Sequence, residues 1–142
     1  EIEKAIIAGQ VEVDELPELW NQTYLELLGI RPESDANGIL QDIHWSMGAF
    51  GYFPSYTLGN LINSQLFEAA KRDIPNMNDQ FANGEFQPLL QWLRENVHAH
   101  GSRFQSSELV KLATGEPMSS SAFLSYIREV THEVYGIGVP RV

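Results

Sequence analysis

The residues best suited to chemistry lie together in one stretch, 38–60. Within it Asp42 precedes His44 by two residues, and a carboxylate so near an imidazole can fix its tautomer and raise its basicity. An imidazole is also the side chain that exchanges a proton most readily near neutral pH. The pair therefore suits general acid–base catalysis, although the same spacing is equally typical of a buried histidine that is simply hydrogen-bonded.

Two tyrosines follow this pair. Tyr52 and Tyr56 are four residues apart around the expected start of a helix, so they share a face if the helix includes both. A phenol near a helix N-terminus is well placed to donate a hydrogen bond to a developing oxyanion. Packing in an aromatic core is the simpler interpretation of either tyrosine, and the residues alone favour it.

The backbone around these candidates is rich in glycine and aromatic residues. Glycine lets a backbone approach a ligand closely, and Trp45 carries a polar N–H on a large apolar ring. Because an ordinary core helix does not need this mixture, residues 38–53 are predicted to be irregular and to line a polar pocket.

Other catalytic patterns are missing from the sequence or have the wrong spacing. His98 and His100 are two residues apart, whereas metal ligands on one helical face need a spacing of four. A solvated helix end, where a cationic histidine is favourable, is the better interpretation of this pair. The sequence contains no phosphate-binding glycine loop with lysine, no Gly-x-Ser-x-Gly elbow and no His-Glu-x-x-His metal helix.

The composition is that of a globular domain of 142 residues with a formal net charge of −10. With only 9 Lys and Arg, the chain is a poor match for the phosphates of nucleic acid. No apolar run is long enough to span a bilayer, so no membrane partner is expected. The absence of cysteine excludes a disulfide framework and makes a reducing, cytoplasmic setting the default expectation.

The elements that must position these residues are predicted to be helices, because apolar residues recur at helical spacing between glycine and proline stops. The predicted helices cover 1–8, 15–28, a long helix from Pro54 or Ser55 to about residue 72, 77–82, 85–100, 107–113 and 121–135. The expected N-caps are Asp14, Ser106 and either Ser119 or Ser120. No strand alternation competes with this pattern, so the fold class is all-α, followed by an unstructured tail at 137–142.

The first residues resemble the middle of a helix, since no capping residue precedes the apolar positions Ile2, Ala5 and Ile6. This pattern predicts that the chain was cut from a longer polypeptide. The whole of 1–142 is accordingly expected to be one helical segment of a larger protein, with its active-site motif at 38–60.

Two motifs carry a family resemblance. Gly-x-x-Gln-Asp-x-His-Trp at 38–45, followed by Gly-Tyr-Phe-Pro-Ser-Tyr-x-Leu-Gly-Asn at 51–60, resembles the M32 family of zinc carboxypeptidases, the carboxypeptidase Taq type. The resemblance continues at 1–7, 14–21, 29–32 and 113–117. It covers essentially the whole chain and matches the C-terminal portion of that family.

The resemblance implies a mostly helical metallopeptidase with a deep groove that removes single residues from peptide C-termini. In that family zinc activates a water while a glutamate of the zinc helix acts as base. The family's His-Glu-x-x-His helix, its further glutamate ligand and its Ile-Arg-x-x-Ala-Asp motif lie in a preceding portion and have no counterpart here. The chain alone is therefore expected to hold no zinc and to be inactive.

The resemblance also implies roles for particular residues. His44 and Tyr52 are expected to hydrogen-bond the substrate and stabilise the tetrahedral oxyanion, with Tyr56 as the alternative to Tyr52. Gln41, Asp42 and Trp45 are expected to orient His44 and to shape the substrate subsite. The implied partners are a peptide substrate, the remainder of the same polypeptide and a second copy in a homodimer.

A function of another class is the alternative. The chain has an acidic surface and enough apolar residues for a core of its own, so it is also compatible with an autonomous helical module. In that interpretation the 38–60 motif is a groove for a partner peptide or protein and carries out no catalysis.

Overall fold

The computed structural model describes residues 1–138, which contain helices and no strand. The helices are α1 (Ile2–Ile7), α2 (Leu16–Leu28), α3 (Pro54–Asp73), α4 (Met77–Ala82), α5 (Gln87–Asn96), α6 (Ser106–Thr114) and α7 (Ser121–Tyr135). Short 3₁₀ turns lie at Val13–Glu15, Asp35–Asn37, Ile39–Gln41, Trp45–Met47 and His98–His100. The predicted all-α class is confirmed. Most of the predicted tail, residues 139–142, lies outside the described residues.

The chain divides into two compact units, Glu1–Pro54 and Ser55–Val142. The first contains α1, α2 and the motif region up to the start of α3, and the second contains the remaining helices. The expectation that 1–142 is one segment of a larger enzyme stays a prediction. Over the described part of the chain, no helix is both long enough and apolar enough to traverse a membrane.

The start of α2 corrects one predicted N-cap. A 3₁₀ turn at Val13–Glu15 precedes the helix, which places Asp14 inside the turn. The Glu15 carboxylate instead reaches back and accepts a hydrogen bond from the Glu12 N–H at 2.9 Å. The predicted end of α2 is confirmed, because Gly29 adopts φ 69° and its N–H donates to the Leu25 carbonyl.

The start of α6 corrects a second N-cap in the same way. Its N-cap is Gln105, and Ser106 is the first helical residue. The Gln105 N–H donates to Glu108 Oε2 at 3.0 Å. As at Glu12, the backbone N–H of the N-cap residue is satisfied by the carboxylate of the glutamate three residues later. α7 follows Ser120, one of the two expected caps, although the Ser120 side chain makes no capping bond.

The loop after α2 is held by one surface ion pair and one close contact. Arg31 Nη2 lies 2.6 Å from Glu18 Oε2, and this hydrogen bond from the guanidinium lowers the pKa of the Glu18 carboxyl. Gly38 is buried where the loop enters the motif, and a Cβ at this position would lie 3.2 Å from both Pro32 Cβ and the Ser34 carbonyl. The close packing explains why a glycine opens the motif.

The second unit has a hydrophobic core at the junction of α3, α4 and α5. Its buried members are Ala69, Ala70, Ile74, Met77 and Trp92. The Trp92 indole N–H donates to Asp73 Oδ2 at 2.7 Å, so the one polar atom of this ring is satisfied. The core therefore joins three helices without a buried unpaired indole.

The loop between α6 and α7 is attached to α3 by a buried amide. Gln65 Nε2 donates to the Pro117 carbonyl at 3.0 Å, and Gln65 Oε1 accepts from the Ser119 N–H at 3.1 Å. Arg72 adds a bond from Nη2 to the Thr114 carbonyl at 2.8 Å. These hydrogen bonds fix the α6–α7 loop against α3.

Candidate functional site

Residues 38–53 of the motif are irregular, as predicted, and α3 begins at Pro54. Two 3₁₀ turns, Ile39–Gln41 and Trp45–Met47, are followed by Gly48 and Gly51 in the left-handed region, with φ 73° and φ 76°. Side chains with a Cβ are disfavoured at such φ values, so the two glycines allow the chain to reverse between His44 and Tyr52.

Asp42 and His44 form the centre of the candidate site. Asp42 Oδ1 lies 2.9 Å from His44 Nδ1 and also accepts a bond from the His44 N–H at 2.8 Å. The Asp42 side chain is 2% exposed and that of His44 is 18% exposed. An ionised carboxylate only accepts hydrogen bonds, so Nδ1 carries the proton and Nε2 is the nitrogen on the far side of the ring.

The second carboxylate oxygen of Asp42 is buried and has no hydrogen-bond partner among the described residues. A buried carboxylate that lacks full compensation is costly unless a cation or donor lies beside it. The backbone N–H and the ring of His44 supply the donors to Oδ1, so the buried carboxylate depends on the imidazole staying in place.

Two aromatic rings pack against the imidazole. The His44 and Tyr52 rings stack with centroids 5.7 Å apart and planes 21° apart. Phe53 lies closer, at 4.6 Å and 50°. Tyr52 is 49% exposed, so its phenol combines contact with the imidazole and access to a ligand. The structure thus brings together Asp42, His44 and Tyr52.

The two tyrosines do not share a helical face. α3 begins at Pro54, so Tyr52 precedes the helix and only Tyr56 lies in its first turn. Proline suits the first turn of a helix because its missing N–H has no partner there, and this sets the boundary between the two tyrosines. Tyr56 belongs to the second unit and is 52% exposed.

The remaining predicted site residues are used mainly by the fold. Gln41 is exposed, and its Nε2 donates to the Ala36 carbonyl. The Trp45 ring lies edge-on to Trp20 at 5.9 Å and stacks with Phe50 at 6.3 Å. Both residues therefore shape the loop that carries His44.

One residue of the site was missed by the sequence analysis. Glu3 of α1 accepts a bond from Trp45 Nε1 at 2.8 Å and another from the Gly51 N–H at 3.1 Å. The available signal was the membership of residues 1–7 in the family resemblance. Nothing in local spacing connects a helix acid with partners so distant in sequence, because tertiary folding alone creates the contact.

The described residues do not fit a metal site. No group of three or more His, Cys, Asp or Glu side chains within 1–138 converges on a point where a cation would bind. His98 and His100 lie in a 3₁₀ turn, with the His100 ring edge-on to Phe104 at 5.5 Å. The chemistry that these residues offer is hydrogen bonding and proton transfer through an oriented imidazole and a phenol.

Known proteins resemble this chain over nearly its whole length. A profile described as Carboxypeptidase Taq (M32) metallopeptidase matches residues 1–131. Carboxypeptidase 1 of Bacillus subtilis is 46% identical over 135 residues, which is 95% of this chain and 27% of that protein. Thermostable carboxypeptidase 1 of Thermus thermophilus is 43% identical over 136 residues, which is 96% of this chain and 27% of that protein.

The likeness extends to three-dimensional structure. The crystal structure of the M32 carboxypeptidase from Deinococcus radiodurans R1 matches with a TM-score of 0.89 at 39% identity, covering 95% of this chain and 27% of that one. The chain spans about a quarter of the length of the curated relatives, 27% of each. With its helical fold, its 38–60 motif and its match over residues 1–131, this chain belongs to the M32, or carboxypeptidase Taq, family of metallopeptidases.

Proposed function

We propose that this chain is the C-terminal part of a carboxypeptidase and that the complete protein removes single residues from the C-termini of peptides. Family membership supports the proposal, since the relatives are named carboxypeptidases. The observation that carries it is the arrangement of Asp42, His44 and Tyr52. An imidazole oriented by a buried carboxylate lies in contact with a half-exposed phenol, and both are side chains that can stabilise a developing oxyanion.

His44 acts through Nε2 in this proposal, because Nδ1 is held by Asp42. When both ring nitrogens carry a proton, Nε2 donates to an oxygen that gains negative charge while Asp42 accepts from Nδ1. Tyr52 supplies a second donor through its phenol. Two donors held in place before the reaction stabilise the transition state without the cost of reorganising water.

The other candidates have supporting roles. Gln41 and Trp45 shape the substrate subsite through the loop, and Asp42 orients His44. Tyr56 is the alternative to Tyr52 as phenol donor. Its place in the first turn of α3 favours a donor role, since the helix N-terminus attracts negative charge.

The metal belongs to another part of the complete protein. Zinc is the metal that we propose, held by residues in the part of the relatives that this chain does not match. The chain alone is therefore expected to be inactive, and its first partner is the remainder of the same polypeptide. A peptide substrate, a homodimer and a cytoplasmic location complete the proposal.

The test replaces the two donors in the complete protein. His44→Ala and Tyr52→Phe are each expected to lower kcat roughly 10²- to 10³-fold, because each removes one transition-state donor. The matched controls are His132→Ala and Tyr126→Phe, which alter an exposed histidine and a tyrosine of similar exposure, 53%, on α7. Unchanged kcat with unchanged metal content in the His44 and Tyr52 variants would remove both catalytic roles.

The alternative is an autonomous helical module that binds a peptide or protein without catalysis. The independent core of the second unit is the observation in its favour. Intact mass and metal analysis of the natural gene product distinguish the two. A longer product that contains zinc supports the enzyme, and a metal-free product of this length supports the module.

A further inference from the structure

Glu3, in the first turn of α1, binds two points of the candidate site. Its Oε1 accepts a hydrogen bond from Trp45 Nε1 at 2.8 Å, and its Oε2 accepts one from the Gly51 N–H at 3.1 Å. These donors are 42 and 48 residues away along the chain. One carboxylate thus connects α1 to two separate points of the motif region.

The two attachment points bracket the segment between the proposed donors. Trp45 directly follows His44, and Gly51 directly precedes Tyr52. The imidazole and phenol rings stack with centroids 5.7 Å apart, so moving either attachment point changes how these rings face each other. A carboxylate suits this task because it only accepts hydrogen bonds and offers one oxygen to each donor.

We infer that Glu3 is a positioning residue for the His44–Tyr52 pair. The inference rests on the proposed function, in which both rings act on the peptide. Glu3 acts through Trp45 and Gly51, and it keeps the two donors in the geometry that the transition state requires. Small displacements of such donors are costly, since a shift of about 1 Å can lower the rate about 10²-fold.

Three variants of the complete protein isolate this role. Glu3→Gln keeps the size of the side chain but replaces one acceptor oxygen with an amide NH₂, which cannot accept from an N–H donor. Trp45→Phe keeps an aromatic ring and removes Nε1. Glu1→Gln is the matched control, because it removes the same charge next to α1 at a side chain that is 88% exposed and pairs with Lys4 at 3.5 Å.

The expected result is a loss of kcat with little change in KM. Glu3→Gln and Trp45→Phe each lower kcat roughly 10- to 100-fold, and in Glu3→Gln KM stays near that of the unmodified enzyme, since the affected donors act in the transition state. The double variant loses little more than the more impaired single variant, because both changes break the same connection. Glu1→Gln keeps full kcat.

The following outcomes overturn the inference. One is a Glu3→Gln enzyme with the kcat of Glu1→Gln, and another is a double variant whose losses multiply. If Glu3→Gln fails to fold by circular dichroism, folded Trp45→Phe decides, and full kcat in that variant overturns the inference. His44→Ala in the same assay separates the two proposals: full kcat there refutes the proposed function, whereas a loss there beside an active Glu3→Gln enzyme refutes only the role of Glu3.

Discussion

Asp42 holds both the backbone N–H and the Nδ1 atom of His44. Its Oδ1 accepts from the backbone N–H and from Nδ1 of His44, while the side chain itself is 2% exposed. The backbone bond fixes where the residue lies, and the ring bond fixes which nitrogen faces away. A spacing of two residues thus produces an oriented imidazole within a short turn, which is why the pair could be recognised in the sequence.

Asp42→Asn tests whether the charge of this carboxylate matters beyond its shape. The amide keeps one acceptor oxygen but loses the negative charge, so kcat/KM of the complete enzyme is expected to fall roughly 10-fold, the value of one charge-assisted hydrogen bond. Asp35→Asn, at an exposed turn nearby, is the control and should leave kcat/KM unchanged. Steady-state kinetics on a peptide substrate measures both, and equal values for the two variants would contradict the charge effect.

At the scale of elements, three helix ends marked by glycine were predicted correctly, whereas the N-caps expected for α2 and α6 were wrong. Gly29, Gly115 and Gly136 end α2, α6 and α7 in left-handed conformations, which glycine adopts at little cost. At the missed starts, Glu12 caps the 3₁₀ turn that precedes α2 and Gln105 caps α6, whereas sequence preference points to Ser, Thr, Asp and Asn. A backbone N–H satisfied by an acid one turn later leaves a weaker signal at the cap itself.

How much of the site could be predicted depends on whether its contacts join neighbours in sequence or residues far apart in the chain. The Asp42–His44 pair depends on neighbours in sequence, and the irregular loop follows from its glycines, so both could be predicted. The contacts of Glu3 with Trp45 and Gly51 depend on how α1 lies against the loop, which no local pattern encodes. The stacking of Tyr52 on His44 likewise follows from the reversal of the chain at two left-handed glycines.

Gly48→Ala tests this reversal. With φ 73° and no atom within 4 Å of the position that a Cβ would occupy, the cost is purely conformational, and the free energy of unfolding is expected to fall by about 1 kcal/mol. Gly59→Ala in α3 is the matched control with the opposite sign: its Cβ would also meet nothing within 4 Å, and alanine gains about 0.5–1 kcal/mol in a helix. Urea denaturation followed by circular dichroism measures both, and a destabilised Gly59→Ala or an unaffected Gly48→Ala would contradict the argument.

At the scale of the whole molecule, the first unit buries little of its apolar surface. Of residues 1–54, only Leu16 and Gly38 are buried as whole residues, and neither is a large part of an apolar core. Large apolar side chains on α2 and after it are exposed, including Leu27 at 77%, Leu28 at 58% and Ile30 at 62%. A group of exposed apolar side chains of this kind is typical of a surface that contacts another protein segment.

The chain of 142 residues on its own is therefore expected to bind a hydrophobic dye and to self-associate. The double variant Leu27→Lys/Leu28→Lys should reduce both effects without lowering the free energy of unfolding, because neither side chain is buried. Dye titration and sedimentation velocity are the measurements, with Glu26→Lys as a control that changes charge on the same helix. A strictly monomeric chain that binds no dye would contradict the expectation.

The three tryptophans are distributed so that each unit carries its own optical reporter. Trp20 and Trp45 lie edge to face within the first unit, 5.9 Å apart, while Trp92 is 7% exposed in the core of the second. Emission from Trp92 should be blue-shifted, because its ring is buried away from water. In the Trp92→Phe variant, the remaining tryptophan emission originates in the first unit alone. Thermal unfolding of the two units can therefore be followed separately in one sample of the intact chain, by recording emission at two wavelengths.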